Sequence, residues 1–238
     1  MKKIFLVDDH PMLREGLIRL IARMPECEVC GEAGDAAAAS EAITRLLPDL
    51  VILDISLPDK SGLELIKDLL CLMPDLKVLV FSMHDEMIYA ERVVRAGARG
   101  YIMKGTTTDN LLKAIESVLA GDHYLSECVS NHLFCRLSGG KRSADSRPGA
   151  QGRLSGIGTL TDRELEVYEL IGRGKSVGQI AEQLRISPRT VDAHRGNIKS
   201  KLGLHDAAAL MRSAVLWVEL ASKPLAGAQE QRGEIAAS

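Results

Sequence analysis

Short apolar runs alternate with longer amphipathic ones over the first half of the 238-residue chain. Residues 3–7 read as a strand, and residues 11–24 as a helix opened by proline in its first turn. Residues 28–33 form a second strand, followed by an alanine-rich helix over 36–47 that Pro48 ends. Residues 50–54 (LVILD) are continuously apolar up to the aspartate, the pattern of a strand covered on both faces. A helix over 62–73, a strand over 77–81, a helix over 87–96, a strand over 100–103 and a helix over 108–120 complete the series. Strands alternating with helices in this way imply a parallel sheet with helices on both faces, because parallel crossovers need helices and run right-handed. Ligands of such sheets sit beyond the carboxyl ends of the strands. Asp8 and Asp9 fall at the end of the first strand, Asp54 at the third, Ser82 after the fourth and Lys104 after the fifth.

The pattern then changes. Residues 122–137 are expected to be helical in part, and residues 138–158 are rich in Gly, Ser, Arg and Pro without apolar periodicity, as in a flexible linker. A second compact unit begins at about Leu160. Thr161 followed three residues later by Glu164 is a capping-box signature opening a helix over 162–173, which Gly174 ends. A short helix over 177–184 leads through a turn to Ser187 and Pro188, an N-cap followed by proline at the first helical position. That helix runs to Leu202 and stops at Gly203; a fourth, over 205–220, carries Ala208, Met211, Val215 and Val218 at helical spacing. The tail from Ser222 is polar and alanine-rich, and is expected to be disordered.

Composition narrows the classes. Thirty basic residues face 32 acidic ones, a formal net charge of −2, so a surface for nucleic acid must be local. No stretch approaches the roughly 20 apolar residues of a membrane span, and the apolar run at residues 4–7 is too short for a secretory leader. Five scattered cysteines fit a reducing cytoplasm. Cys27 and Cys30 form a C-x-x-C without a second pair or a nearby histidine cluster, and read as ordinary positions in or beside a strand. Between residues 185 and 201, Arg185, Arg189, Arg195, Lys199 and Lys201 stand against Asp192, a focus of positive charge in the second unit.

Three carboxylates brought to one sheet edge repel one another unless a cation lies among them. Mg²⁺ suits an oxygen-ligand site and keeps several waters, which makes it a natural partner for a phosphoryl group. Phosphoryl transfer needs an in-line nucleophile and neutralisation of the equatorial oxygens. Asp54 can supply the first, the metal and Lys104 the second, and Ser82 a hydroxyl donor.

The stretches VDDH (7–10), LDISLPDKSG (53–62), FSMHD (81–85) and YIMKG (101–105), in this order, resemble the receiver domain of two-component response regulators. The resemblance covers residues 1 to about 125. It implies a flavodoxin-like five-stranded parallel fold with Asp54 as phosphoacceptor and Mg²⁺ held by Asp9, Asp54 and the main-chain carbonyl of Ser56. By the same resemblance Asp8 acts mainly through a bound water, Ser82 and Tyr101 form a switch pair, and Lys104 contacts the phosphate. Pro58 and Gly62 match the usual loop after the acceptor. Ser56 and His84 flank the pocket and bear on the lifetime of the acyl phosphate.

Residues 160–204 resemble the LuxR-type, or NarL/FixJ, DNA-binding domain, a small all-α four-helix unit with a helix-turn-helix. In such a unit one helix crosses the DNA backbone and the next enters the major groove. The recognition helix would be residues 188–202, with Val191, Ile198 and Leu202 in the core and His194 structural. The resemblance implies Asp192, Ala193 and Gly196 at base-facing positions, Arg189, Arg195 and Lys199 on phosphates or guanine edges, and Thr190 beside them. Asp192 repels phosphates, and Gly196 in mid-helix costs about 1 kcal/mol relative to alanine. Close approach of the backbone to DNA and simple tolerance both account for that glycine.

Together these resemblances imply a transcriptional regulator of the NarL/FixJ family: receiver 1–125, linker 126–158, helix-turn-helix domain 159–221 and tail 222–238. The implied partners are a histidine kinase, double-stranded promoter DNA, RNA polymerase at the promoter, and a second copy of the chain in a phosphorylation-dependent dimer. No membrane partner is implied. Two other readings compete. A Mg²⁺-dependent aspartyl-phosphate phosphatase wants a second carboxylate two residues after its nucleophile, where this chain has Ser56. A regulator whose receiver is only a scaffold has no need of the acidic pair and Lys104.

Overall fold

The structure, a computed structural model, describes residues 1–84, 86–127, 129–131 and 156–221. Asp85 of the FSMHD motif, most of the expected linker and the expected tail lie outside the described residues. The chain divides into two compact units.

The N-terminal unit holds β1 (Lys2–Val7), α1 (Pro11–Ile21), β2 (Cys27–Ala33), α2 (Ala36–Leu46), β3 (Leu50–Leu53), α3 (Gly62–Leu72), β4 (Lys77–Ser82), α4 (Glu86–Arg95), β5 (Gly100–Met103) and α5 (Thr108–Ala120). The strands form one parallel sheet in the order β2-β1-β3-β4-β5. Leu50–Leu53 pairs on both sides and is buried throughout, as its unbroken apolar run requires. Ile4 and Leu6, Leu50 and Ile52, Leu79 and Phe81, and Ile102 share one sheet face. They pack there against Leu17 and Ile21 of α1 and Leu111, Ala114, Ile115 and Val118 of α5. Phe5, Val51 and Leu53 alternate onto the opposite face and are equally buried.

The helix ends follow local chemistry. Thr107 and Gly121 cap α5, the first accepting from the Asn110 N–H and the second in the left-handed region. The first helix ends at Ile21, three residues short of the expectation, because Pro25 disfavours helical geometry at Met24 and offers no N–H.

The C-terminal unit comprises a short 3-10 turn (Ile157–Thr159), α6 (Asp162–Gly172), α7 (Val177–Gln183), α8 (Pro188–Leu202) and α9 (Ala207–Ala221). The capping box at Thr161 and Glu164 forms in full. Helices α6 and α9 approach closely at Gly172, where a Cβ would meet the carbonyl of Ala214. The Tyr168 ring lies 5.3 Å from that of Trp217, and its hydroxyl is 2.8 Å from Ser213 Oγ. On α9 Leu210, Ala214 and Trp217 are buried, whereas Ala208 and Met211 are exposed and Val215 is half-buried. No helix of the described residues is long and apolar enough to cross a membrane.

Candidate functional site

Parallel register sets the site. Val7 lies beside Leu53, Leu53 beside Val80, and Ser82 beside Met103, so the residues that follow these strands emerge along one edge. Main-chain bonds continue the register one step further, from Asp54 N–H to the Val7 carbonyl (2.9 Å) and from Lys104 N–H to the Ser82 carbonyl (2.9 Å). Asp8, Asp9, Asp54, Ser82 and Lys104 are thereby brought together.

Asp54 is 4% exposed. Its Oδ1 accepts from Ser82 Oγ at 2.7 Å and its Oδ2 from Lys104 Nζ at 2.6 Å. The same ammonium lies 2.6 Å from Asp8 Oδ2. Burial works against the charge on Lys104, but Asp54 and Asp8 outweigh it and hold the ammonium above the ordinary lysine range. Asp8 is fixed from two sides: His10 N–H donates to its Oδ1 at 2.9 Å, and Arg14 Nη1 donates to its main-chain carbonyl at 2.6 Å. Behind Asp54 the chain turns so tightly into α3 that a Cβ at residue 62 would collide with the Asp54 carbonyl, which accounts for Gly62.

The donor set fits a hard divalent cation. One ligand atom each from Asp8, Asp9, His10 and Asp54 falls within 4.8 Å of the others. Asp9 Oδ1 is buried yet accepts no hydrogen bond, although His10 Nδ1 is 2.6 Å away. A carboxylate oxygen shielded from water and outside any hydrogen bond is suited to a metal. Ser56 stands at the mouth, its N–H donating to Asp54 Oδ1 at 3.3 Å and its Oγ 2.7 Å from His84 Nε2.

Tyr101 is 1% exposed, and its hydroxyl donates to the His84 carbonyl at 2.9 Å. Tyr101 therefore already lies inward, and Ser82 already bonds Asp54. The chain leaving α5 returns along the β5 edge. Tyr101 N–H donates to the Tyr124 carbonyl and Tyr124 N–H to the Arg99 carbonyl, both at 2.9 Å, and Ser126 N–H reaches Glu86 of α4 at 2.9 Å. The exit from this unit is thus bonded to the strand and the helix that flank the pocket.

In the C-terminal unit, Val191 and Ile198 bury the inner face of α8, as expected, and Leu202 is half-buried. Arg189, Thr190, Asp192, Ala193 and Gly196 are exposed, and Arg195 and Lys199 are half-buried. A Cβ at residue 196 would meet nothing within 4 Å, so that side of the helix is open. Two basic side chains of α8, Arg195 and Lys201, are committed within the unit. Arg195 Nη1 bonds Asp192 Oδ1 at 2.9 Å, and Lys201 Nζ bonds Glu164 of α6 at 2.6 Å. Burial raises the Glu164 carboxyl, but Lys201 and the Thr161 cap prevail and leave it below the ordinary range. Burial and the nearby Arg163 depress His194, which favours its neutral form.

Arg14 was not foreseen as part of the pocket, and Ser56 and His84 were expected to flank it but not to bond each other. Arg14 lies one helical turn after His10, which places it on the same side of α1, a spacing visible in the sequence. The Ser56–His84 bond joins two different loops and has no local signature.

Residues 4–116 match the response regulator receiver domain family, and residues 158–214 match the bacterial regulatory proteins of the luxR family. The chain is 36% identical to the transcriptional regulatory protein MctR of Rhizobium johnstonii over 213 residues, covering 90% of this chain and 92% of that protein. It is 35% identical to the transcriptional regulatory protein DegU of Brevibacillus brevis over 209 residues, 86% of this chain and 89% of that one. Among solved structures it resembles RcsB of Salmonella enterica serovar Typhimurium bound to the promoter rprA in the presence of the phosphomimetic BeF3−. That likeness has a TM-score of 0.58 at 26% identity, covering 90% of this chain and 98% of that one.

Proposed function

The chain belongs to the response regulators that join a receiver domain to a LuxR-type DNA-binding domain, and from that premise we propose that phosphorylation of Asp54 by a partner histidine kinase controls its binding to promoter DNA. The observation that carries this reading is the Asp54 carboxylate, buried and held between Ser82 Oγ and Lys104 Nζ. An Asp54 oxygen attacks the phosphorus of a phosphohistidine, the P–O bond forms as the P–N bond breaks, and the electron pair leaves on the imidazole. The Lys104 ammonium neutralises the phosphoryl oxygens, and the Ser82 hydroxyl donates to one of them.

Asp9, Asp54 and the Ser56 carbonyl would hold Mg²⁺, with Asp8 acting through water. The ion supplies charge neutralisation and orientation when bound. The reaction is a single transfer to the protein itself, so we assign no enzymatic turnover. We place the receiver at 1–125, the linker at 126–158, the DNA-binding domain at 159–221 and the tail at 222–238, in a cytoplasmic protein.

For the output, α8 enters the major groove with Asp192, Ala193 and Gly196 toward the bases and Arg189, Thr190, Arg195 and Lys199 at the backbone. The exposed side of α9, with Ala208 and Met211, supplies a dimer face, and a dimer reads two half-sites. Contact with RNA polymerase follows at the promoter. Labelling with acetyl phosphate and Mg²⁺ tests the acceptor: wild type should incorporate one phosphoryl group and Asp54→Ala none, and undiminished labelling of the variant overturns the assignment.

A further inference from the structure

The loop that follows Asp54 is fastened to a helix far from it in sequence. Ala36 N–H and Ala37 N–H, the first two free donors of α2, bond the two oxygens of Asp59 at 2.8 and 3.0 Å. The third, Ala38 N–H, bonds the local N-cap Asp35 at 2.8 Å. One helix terminus is therefore satisfied by two carboxylates, only one of which belongs to it. Asp59 sits at the tip of a tight loop: Ser56 faces Ser61 across an antiparallel bridge, and Gly62 N–H bonds the Ile55 carbonyl at 2.8 Å. Lys60 ties the outgoing arm to Asp68 of α3. The anchor is itself joined to the pocket, since Asp8 N–H bonds the carbonyl of Ala33, the last residue of β2.

We propose that Asp59 is a positioning residue of the phosphoacceptor site, which holds the Ser56 carbonyl and Asp54 in place by clamping their loop to the N-terminus of α2. The inference rests on the reading of Asp9, Asp54 and Ser56 as the Mg²⁺ site. Asp59 touches none of these groups and acts only through the loop, reaching Ser56 through Leu57 and Pro58. Partial burial raises its carboxyl, but four backbone N–H groups, from Ala36, Ala37, Asp59 itself and Lys60, prevail and keep it ionised well into the acid range. The side chain lies at the surface, so its removal leaves no cavity in the core. Groups that hold metal ligands in place from outside typically change metal affinity by about 10- to 100-fold when lost.

The two carboxylates on α2 provide the control. Asp35→Ala removes a cap from the same helix without touching the loop; Asp59→Ala removes caps and clamp together. Both should lower the melting temperature of the full-length protein by several degrees, on the order of 3–5 °C. Mg²⁺ affinity, measured by calorimetric titration of MgCl₂ into each protein, should separate them. The expected result is at least a roughly tenfold weaker Kd for Asp59→Ala and a wild-type Kd for Asp35→Ala. Asp59→Asn, whose amide oxygen keeps one acceptor, should fall between wild type and Asp59→Ala, and it carries the test if the alanine variant does not fold. Equal Mg²⁺ affinity in wild type and the Asp59 variants overturns the proposal, as does an equal loss in Asp35→Ala. Wild-type protein that binds no Mg²⁺ overturns the metal-site reading, and this inference with it.

Discussion

Each half of the molecule presents an acid–base pair at its candidate site, and the two pairs are built differently. Asp54 and Lys104 are 4% and 6% exposed, 2.6 Å apart, and come from the ends of different strands. Asp192 and Arg195 are 61% and 29% exposed and come from one turn of one helix. The first pair is positioned by the whole sheet: neither partner can leave without stranding a charge that burial penalises. The second is a surface pair of the kind that contributes about 0–1 kcal/mol and yields readily to a stronger anion. A pocket that performs covalent chemistry needs its charges fixed before the substrate arrives. A surface that reads DNA needs its charges available, and the exposed Asp192 partner holds Arg195 only weakly, as the proposed role of Arg195 at the DNA requires.

That contrast predicts effects of unequal size. Lys104→Ala leaves Asp8 and Asp54 facing each other without their cation and removes a donor to the phosphoryl group. The rate of acetyl phosphate labelling should fall on the order of 100-fold or more, followed by intact-mass kinetics. A rate near wild type would place the neutralising charge elsewhere.

At the surface the changes should be smaller and opposite in sign. Arg195→Ala should weaken binding to duplex DNA and reduce the slope of log K against log salt by about one, and Lys199→Ala should do the same. Asp192→Asn should instead tighten binding, because it frees Arg195 and removes a negative charge from the groove. Salt titrations by fluorescence anisotropy read both. Weaker binding of Asp192→Asn would mean that the base-facing carboxylate contributes more through its own contact with DNA than it costs by restraining Arg195.

The helical unit also has its own acid limit. His194 is depressed, so its neutral form favours folding: this contribution is complete above its ordinary value of about 6.5 and is lost as pH falls through the folded value. Glu164 is depressed as well, so the stability it adds is present above the ordinary glutamate value and disappears at lower pH. Trp217, the only tryptophan, reports on this unit from its place against Tyr168. Its unfolding signal should show stability declining from about pH 6.5 downward, and His194→Phe should flatten the upper part of that decline.

The smallest effect is expected at the exit from the receiver. Glu86→Ala removes one exposed hydrogen bond to Ser126 N–H. It should speed amide exchange at Ser126 severalfold, with a change in global stability of about 1 kcal/mol or less. Unchanged exchange would remove α4 from the route out of the receiver.

The strands and the pocket were legible in the sequence because continuous apolar runs end abruptly in aspartate, serine or lysine, and parallel register leaves those residues one place to go. Helix boundaries shifted where proline acts on the residue before it, as at Met24 and Pro25. The buried face of α9 was not legible. Ala208, Met211 and Val215 recur at helical spacing, but so do Leu210, Ala214 and Trp217, and a helix that is apolar most of the way round does not choose a face by periodicity. Asp59 was beyond reach for another reason: its partners are the backbone donors of a helix more than 20 residues earlier in the chain, and backbone donors leave no mark in the sequence.

If phosphorylation of Asp54 sets the affinity of α8 for DNA, binding must follow the state of that carboxylate. Fluorescence anisotropy with labelled genomic duplex fragments would be recorded for the full-length protein before and after acetyl phosphate and Mg²⁺, alongside Asp54→Ala under the same conditions. Control through Asp54 entails tighter binding by wild type after phosphorylation and no change in the variant. Equal affinity of phosphorylated and unphosphorylated wild type, or the same increase in Asp54→Ala, would contradict it.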